Sequence, residues 1–404
     1  MRFKKTDLKL NNLLFKSIIL LIFLKLIFSY LTVENGWWLR HLPTNVDRFN
    51  FLGINPHFSN QLEYLIIPLS ITYLTINFKH VKDFKTTIFL VFCMFFLNLL
   101  TSFYNGIGLI SSFTHTLKIT TPILVFIILI VHSKIEDVQL NNIMIKTLKL
   151  CLILVVIGLL FFNISMNREV QKWPIYFTGI HTHSYILASV FIALAYLLYI
   201  KNYTIYLFLF LFFSLTFLYF GYGVRSAVVF YLVFLITILF LKSNFFKYLW
   251  LQALIIIPFI VLTVFLVIES DKLNKFSSGR LEMYSTKFEI LKDYNFLEIL
   301  LGRGFKSDFI TTDDWWWNEK GSHSDFLTFI IENGIMYLFL FLFLIFSLLP
   351  SIKKINIVFL SLIIGYLITS LISNGIAVRP LAAYVFFIVL AFVYNYISKS
   401  KISN

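Results

Sequence analysis

Long apolar runs separated by short polar breaks dominate the chain, at about 13–33, 61–78, 86–104, 117–132, 147–165, 184–200, 203–222, 224–241, 246–268, 325–349, 354–373 and 379–397. A helix needs about 20 apolar residues to cross a bilayer, because without water every backbone N–H and C=O has to be paired inside the segment. The pattern predicts an all-α integral membrane protein with about twelve transmembrane helices. The first run contains Lys16 and Lys25, follows a basic polar stretch and lacks a small-residue cleavage site, so it is read as an uncleaved first helix. No repeat, low-complexity linker or soluble domain interrupts the pattern, and residues 1–404 read as a single polytopic membrane domain.

The polar breaks are of two kinds. Short lysine-rich connections at 79–85, 242–247 and 353–354, together with lysine-rich termini, predict the cytoplasmic side and place both termini there. Three longer segments, 34–60, 166–183 and 269–324, fall on the opposite side, and the last is too long and polar for a turn. Loops of that length are usually functional. Within it Leu281, Tyr284, Phe288 and Leu291 recur at helical spacing. They predict an amphipathic helix over about 280–300, lying against the membrane or the bundle and bordered by Arg280 and Lys287.

Composition sharpens this picture. Hydrophobic residues make up 59% and charged residues 13%, roughly half the charge of a soluble domain. Cys93 and Cys151 both lie in apolar runs, which excludes a disulfide framework and a cysteine metal site. No phosphate-binding Walker pattern is present, so ATP hydrolysis is excluded. Lysine follows the orientation rule, but arginine runs against it. Arg2 is cytoplasmic, whereas Arg40, Arg48, Arg168, Arg225, Arg280, Arg303 and Arg379 map to the outer side or the outer ends of helices. A guanidinium offers a planar fork matched to phosphate oxygens, so the group points to an anionic, phosphate-bearing ligand on that face. Lipid headgroups or snorkelling explain any single one of these arginines as well, but explain the set less well.

Other side chains carry candidate chemistry. His323, in Gly321-Ser322-His323-Ser324-Asp325, stands before the tenth run, where an imidazole can act as a base or a hydrogen-bonding partner. His181 and His183 lack an acidic neighbour and form a weak zinc signal; polar contacts at a cavity mouth fit them better. Trp315, Trp316 and Trp317 serve either as an interfacial anchor, the favoured reading, or as a stacking surface for a sugar. Glu332 falls at membrane depth, so it should face the interior and pair with an arginine or another donor.

Taken in order, Arg280 heading a helix, Gly302-Arg303-Gly304-Phe305, Ser322-His323-Ser324-Asp325-Phe326-Leu327 and Glu332-Asn333-Gly334-Ile335 resemble the signature of the O-antigen polymerase and O-antigen ligase superfamily. Upstream, Gly223-Val224-Arg225-Ser226-Ala227 resembles the arginine-serine element of that family, and 179–184 corresponds to its polar helix entry. The resemblance covers about 180–345. Ser324 stands where the family often has asparagine, and Arg303 where a small or apolar residue is frequent, which makes Arg303 a weaker correspondence than Arg225, Arg280 and His323.

The resemblance implies a GT-C-type glycosyltransferase of the bacterial inner membrane, with 269–324 as a periplasmic loop. Its donor and acceptor would be undecaprenyl-diphosphate-linked oligosaccharides, with neither metal nor other cofactor. Membrane lipids and a chain-length regulator protein are the further partners it implies; nucleic acid is not one. Arg225, Arg280 and His323 would be catalytic, with Arg303, Arg379, His181, His183, Glu332, Trp315 and Trp316 binding substrate. The first outer loop has Asp47 but no Asp-x-Asp, unlike metal-dependent dolichol-sugar enzymes. Polymerisation of O-antigen or capsular repeat units is the preferred activity, with ligation of the glycan to lipid A core as the alternative. A lipid-linked glycan flippase is a non-enzymatic reading, disfavoured because the polar features gather in one loop instead of near the midplane of a repeated bundle.

Overall fold

A computed structural model describes residues 5–31, 58–136, 140–161, 179–242, 280–311, 321–349 and 356–400. These are helical, with no β-sheet among them. The helices are α1 (Lys5–Leu31), α2 (Phe58–Gln61), α3 (Glu63–Ile76), α4 (Lys85–Asn105), α5 (Leu109–Glu136), α6 (Leu140–Phe161), α7 (Ile180–Ile200), α8 (Thr204–Tyr222) and α9 (Arg225–Lys242), followed by α10 (Arg280–Lys292), α11 (Phe296–Leu301), α12 (Asp325–Phe346), α13 (Ile357–Ile372) and α14 (Pro380–Ser400). Every predicted apolar run that falls on described residues is helical; the run at 246–268 lies outside them. Among the described residues, seven helices are long and apolar enough to cross a membrane, and four apolar ones are shorter. The 14 residues of α3 extend only about 21 Å at 1.5 Å per residue, against a hydrocarbon core of about 30 Å.

The protein is built for lipid, with large apolar side chains turned outward. On α8, Ile205, Leu209, Phe212, Phe213 and Phe220 are exposed. α5 and α7 are instead mostly buried, and α14 packs against both, so these three form the centre of the bundle. Lipid tails are as apolar as leucine, so helix association here rests on close packing and on hydrogen bonds between helices. One such set joins α1, α2, α3 and α14: the Lys25 ammonium lies 3.0 Å from Glu63 and donates to the Ser59 carbonyl at 2.6 Å, while the Tyr384 hydroxyl donates to Glu63 at 2.6 Å.

The predicted amphipathic helix over 280–300 is two helices. α10 stops at Lys292, and Asn295 starts α11 by accepting the Glu298 N–H while the Glu298 carboxylate takes the Asn295 N–H. The buried face also differs from the expected stripe. Phe288 is exposed, whereas Met283 and Lys287 are buried. The cause is an ion pair: the Lys287 ammonium sits 3.1 Å from Asp308, both side chains being excluded from solvent. That pair ties α10 to the segment after α11, while Tyr284 of the stripe reaches the Ile372 carbonyl at the end of α13.

α12 is interrupted at Gly334, where φ is 83° and ψ 168°, and Gly302 at the end of α11 has φ 74° and ψ 174°. This region of backbone space is essentially reserved for glycine. The two residues face each other across a crossing of main chains. A Cβ on Gly302 would collide with the backbone of Glu332 and Asn333, and one on Gly334 with that of Leu300 and Leu301. The carbonyls of Ile331 and Glu332, next to the break, accept the N–H groups of Arg303 at 2.9 Å and Gly304 at 2.8 Å. From α4, the Thr101 hydroxyl and Asn105 amide donate to the carbonyls of Leu301 and Gly302. Gly334→Ala should therefore lose about 1–3 kcal/mol from backbone strain alone, with the collision in addition. Thermal unfolding in detergent reads this loss; an unchanged midpoint would show that the crossing does not hold α11 to α12.

Candidate functional site

Four segments converge at one end of the bundle: the start of α7, the start of α10, the entry to α12 at 321–325, and the α13–α14 connection at 373–379. The entry to α12 is shaped by Asp308. Its Oδ2 accepts the Ser322 N–H, the Ser322 hydroxyl and the Thr328 hydroxyl, each at 2.8 Å, while Oδ1 faces Lys287. On the other flank the Ser324 hydroxyl donates to the Leu371 carbonyl at 2.8 Å and accepts the Leu327 N–H as the cap of α12. His323 lies between these anchors with φ +50°. A left-handed conformation at a residue other than glycine costs on the order of 1–3 kcal/mol and persists where neighbours enforce it, commonly at functional sites.

The α13–α14 connection is gripped from several sides. Arg280 and the Tyr284 hydroxyl both donate to the Ile372 carbonyl, at 2.9 and 3.3 Å. Asp325 donates its N–H to Ser373 and accepts the Gly375 N–H at 3.0 Å. Arg379 closes the loop by donating to the Asn374 carbonyl at 3.0 Å and reaches α7 through the Thr182 hydroxyl at 3.1 Å. Among the described residues these contacts engage one donor of Arg280 and two of Arg379; a guanidinium has five.

These contacts gather positive charge. The charges of Arg379, Arg280 and His323 all act on His181, whose buried Nδ1 has no hydrogen bond among the described residues. Burial pushes the pKa of Arg379 below its ordinary value; Tyr185 and Asp325 oppose the shift and the Arg280 charge adds to it. Two mutually repelling guanidiniums beside two imidazoles, with Asp325 as a nearby carboxylate, form a place where an anion would lower the electrostatic energy.

The remaining predicted residues are placed differently. Arg225 is exposed at the start of α9, at the rim of the same end; the neighbouring Ser226 accepts the Tyr185 hydroxyl at 2.7 Å, and Tyr185 in turn acts on Arg379. His183 is buried and bonded to the Tyr222 hydroxyl at 2.9 Å. Arg303 spends its fork on Glu298, at 2.9 and 3.3 Å, and stacks 4.0 Å above the Tyr294 ring. Glu332 faces the interior as expected, and its partner is the imidazole of His115 at 2.9 Å. Arg40, Arg48, Arg168, Trp315, Trp316 and Trp317 lie outside the described residues. No group of three or more possible metal-binding side chains occurs among the described residues.

Four residues of this region are given no role by the sequence, His115, Lys118, Asp308 and Asp325, the last appearing only within the motif around His323. Lys118, inside an apolar helix, carries the clearest signal of the four, since an ionisable residue at membrane depth is a functional candidate by default. Protein families, curated proteins and solved structures give no match to this chain.

The Lys287–Asp308 pair sets the turn that holds His323. Lys287→Met leaves a buried carboxylate uncompensated and should destabilise the protein by about 3–5 kcal/mol. Combining it with Asp308→Asn should lose less than the two single losses added together, in thermal or chemical unfolding. Strict additivity would show that the two side chains do not interact.

Proposed function

We propose that this chain is a membrane glycosyltransferase that uses an undecaprenyl-diphosphate-linked glycan as donor and polymerises oligosaccharide repeat units at the periplasmic face. The observation that carries the reading is the convergence of Arg280, Arg379, His181 and His323 at one end of an apolar bundle. The order of motifs around them, similar to the O-antigen polymerase and ligase superfamily, adds to it.

Transfer requires little of the protein beyond charge, position and one proton acceptor. A hydroxyl of the acceptor repeat unit attacks the anomeric carbon of the donor glycan, the bond from that carbon to the diphosphate oxygen breaks, and the diphosphate leaves with the bonding electrons. The hydroxyl proton passes to a base, for which His323 is the candidate. Negative charge grows on the leaving diphosphate, where preorganised guanidinium donors stabilise it more in the transition state than in the ground state. Arg280 and Arg379 fill that role, with Arg225 guarding the rim.

The glycan profile of a deletion strain tests this reading. Lipid A core carrying a single repeat unit is the expected outcome; bare core with accumulated polymer would transfer the assignment to ligation, and lipid-linked units trapped in the cytoplasmic leaflet to a flippase. In purified protein, Arg280→Ala and Arg379→Ala should lower turnover by about 10²–10³, and His323→Ala by about 10²–10⁴. Arg280→Lys keeps the charge but loses the fork and should also be impaired. Full activity in all four variants, at equal abundance, would remove the cluster from the reaction. Turnover should persist in EDTA, and its loss with rescue by Mg²⁺ would reassign the source of charge.

A further inference from the structure

The last turn of α13 and the residues after it present four successive carbonyls, Leu371, Ile372, Ser373 and Asn374, and each accepts a donor from the site. The Ser324 hydroxyl donates to the first at 2.8 Å, Arg280 to the second at 2.9 Å, the Asp325 N–H to the third at 3.3 Å and Arg379 Nε to the fourth at 3.0 Å. A helix end carries unpaired carbonyls and partial negative charge, so it suits hydroxyl and guanidinium donors.

The fourth carbonyl differs from the other three. It belongs to the peptide between Asn374 and Gly375, and the N–H of that same peptide donates to Asp325 Oδ2 at 3.0 Å. One planar unit is held at both poles, by a carboxylate on its N–H and a guanidinium on its C=O. Because the unit is planar, neither pole can turn without the other. Gly375 allows the fit: a Cβ there would come within 2.6 Å of the Ser370 nitrogen and the Thr369 carbonyl carbon, so the peptide packs directly on the last turn of α13. Arg379 has one further contact, from Nη1 to the buried Thr182 hydroxyl at 3.1 Å. Those two points fix the plane of its guanidinium. Asp325 is itself anchored, being buried in the first turn of α12 behind the Ser324 cap.

We propose that Asp325 is a positioning residue that aims Arg379 through the Asn374–Gly375 peptide; no ion pair joins the two side chains among the described residues. What the aimed guanidinium does rests on the diphosphate-donor reading above, whereas the link itself stands on the contacts. An acidic residue in the first turn of a helix is favourable in its own right. That simpler role predicts lost stability in Asp325→Ala, with no dependence on Arg379.

The test measures turnover of lipid-linked repeat units by the full-length purified protein, as wild type, Asp325→Ala, Asp325→Asn, Arg379→Ala and the double variant Asp325→Ala with Arg379→Ala. Asp325→Ala should lower kcat by roughly ten- to a hundredfold, the scale of one hydrogen bond to a charged group. Asparagine keeps a carbonyl oxygen for the Gly375 N–H, so Asp325→Asn should restore most of that loss. In the Arg379→Ala background Asp325→Ala should cost little more, because its effect passes through a guanidinium already removed. Full kcat in Asp325→Ala, an undiminished loss in the Arg379→Ala background, or an asparagine variant as impaired as the alanine one overturns the proposal. Asp325→Asn decides the matter if the alanine variant does not assemble. A readout independent of turnover is the exchange of the Arg379 Nε proton with water, followed by nitrogen NMR of arginine-labelled protein in nanodiscs. It should quicken severalfold in Asp325→Ala and far less in Asp325→Asn; unchanged exchange in Asp325→Ala also overturns the proposal. A wild type that turns over no lipid-linked donor, with that change in exchange present, removes the transferase reading and leaves the aiming of Arg379 by Asp325 standing.

Discussion

A helix that breaks inside a membrane needs donors from its neighbours for the carbonyls it sets loose, because lipid offers none. α12 breaks at Gly334, and the turn Gly302-Arg303-Gly304 supplies the two N–H groups that the carbonyls of Ile331 and Glu332 accept. The rest of the site end hangs from this crossing. It fixes the depth of Glu332 and therefore the direction in which His115 points on α5. It also sets where residues 305–311 begin, hence where Asp308 can reach, and Asp308 shapes the turn that carries His323. α4 braces the same point through Thr101 and Asn105, so three membrane helices and the polar loop meet at one pair of glycines.

How much of this is legible in the sequence depends on the range of the interaction. Apolar runs are local, and those on described residues mark helices. The glycine motifs 302–305 and 332–335 stand out as patterns, yet their partnership does not, because nothing in either segment names the other as its donor or acceptor. Asn333 and Gly334 fall within the apolar run at 325–349, whose hydrophobicity alone marks no break there. Lys287 reads as the charged border of an amphipathic stripe, and only its pairing with Asp308 explains why it is inside and Phe288 outside. The arginine asymmetry is a composition signal and carries no geometry: it includes Arg280 and Arg379, which the fold brings near His181, and Arg303, which the fold ties to Glu298. His115 stays hidden because a single histidine in an apolar run names no partner, and Lys118 is legible only as an ionisable residue inside such a run.

Charge inside the bundle is handled by two different rules. Near α1 and α3, Lys25, Glu63 and Tyr384 satisfy one another at hydrogen-bonding distance, and Asn11 and Asn77 exchange a reciprocal pair of amide hydrogen bonds at 3.0 Å. Such closed sets define which helix faces meet and leave nothing over for a ligand. Around Arg379 the charges of Arg280 and Asp325 act on it without an ion pair among the described residues. The contrast separates closed polar sets, which hold the bundle together, from a region whose charges are not matched in pairs.

Asp308 joins the two ends of a stretch of chain by binding Ser322, fourteen positions further on. The turn bearing His323 is thereby decoupled from whatever the chain does between those anchors. Closing a loop of doubled length costs only about 0.6 kcal/mol more in chain entropy, so insertions, deletions and wholesale replacement between 309 and 321 are thermodynamically cheap. The chain can thus change its length and composition in that stretch while the histidine turn keeps its shape.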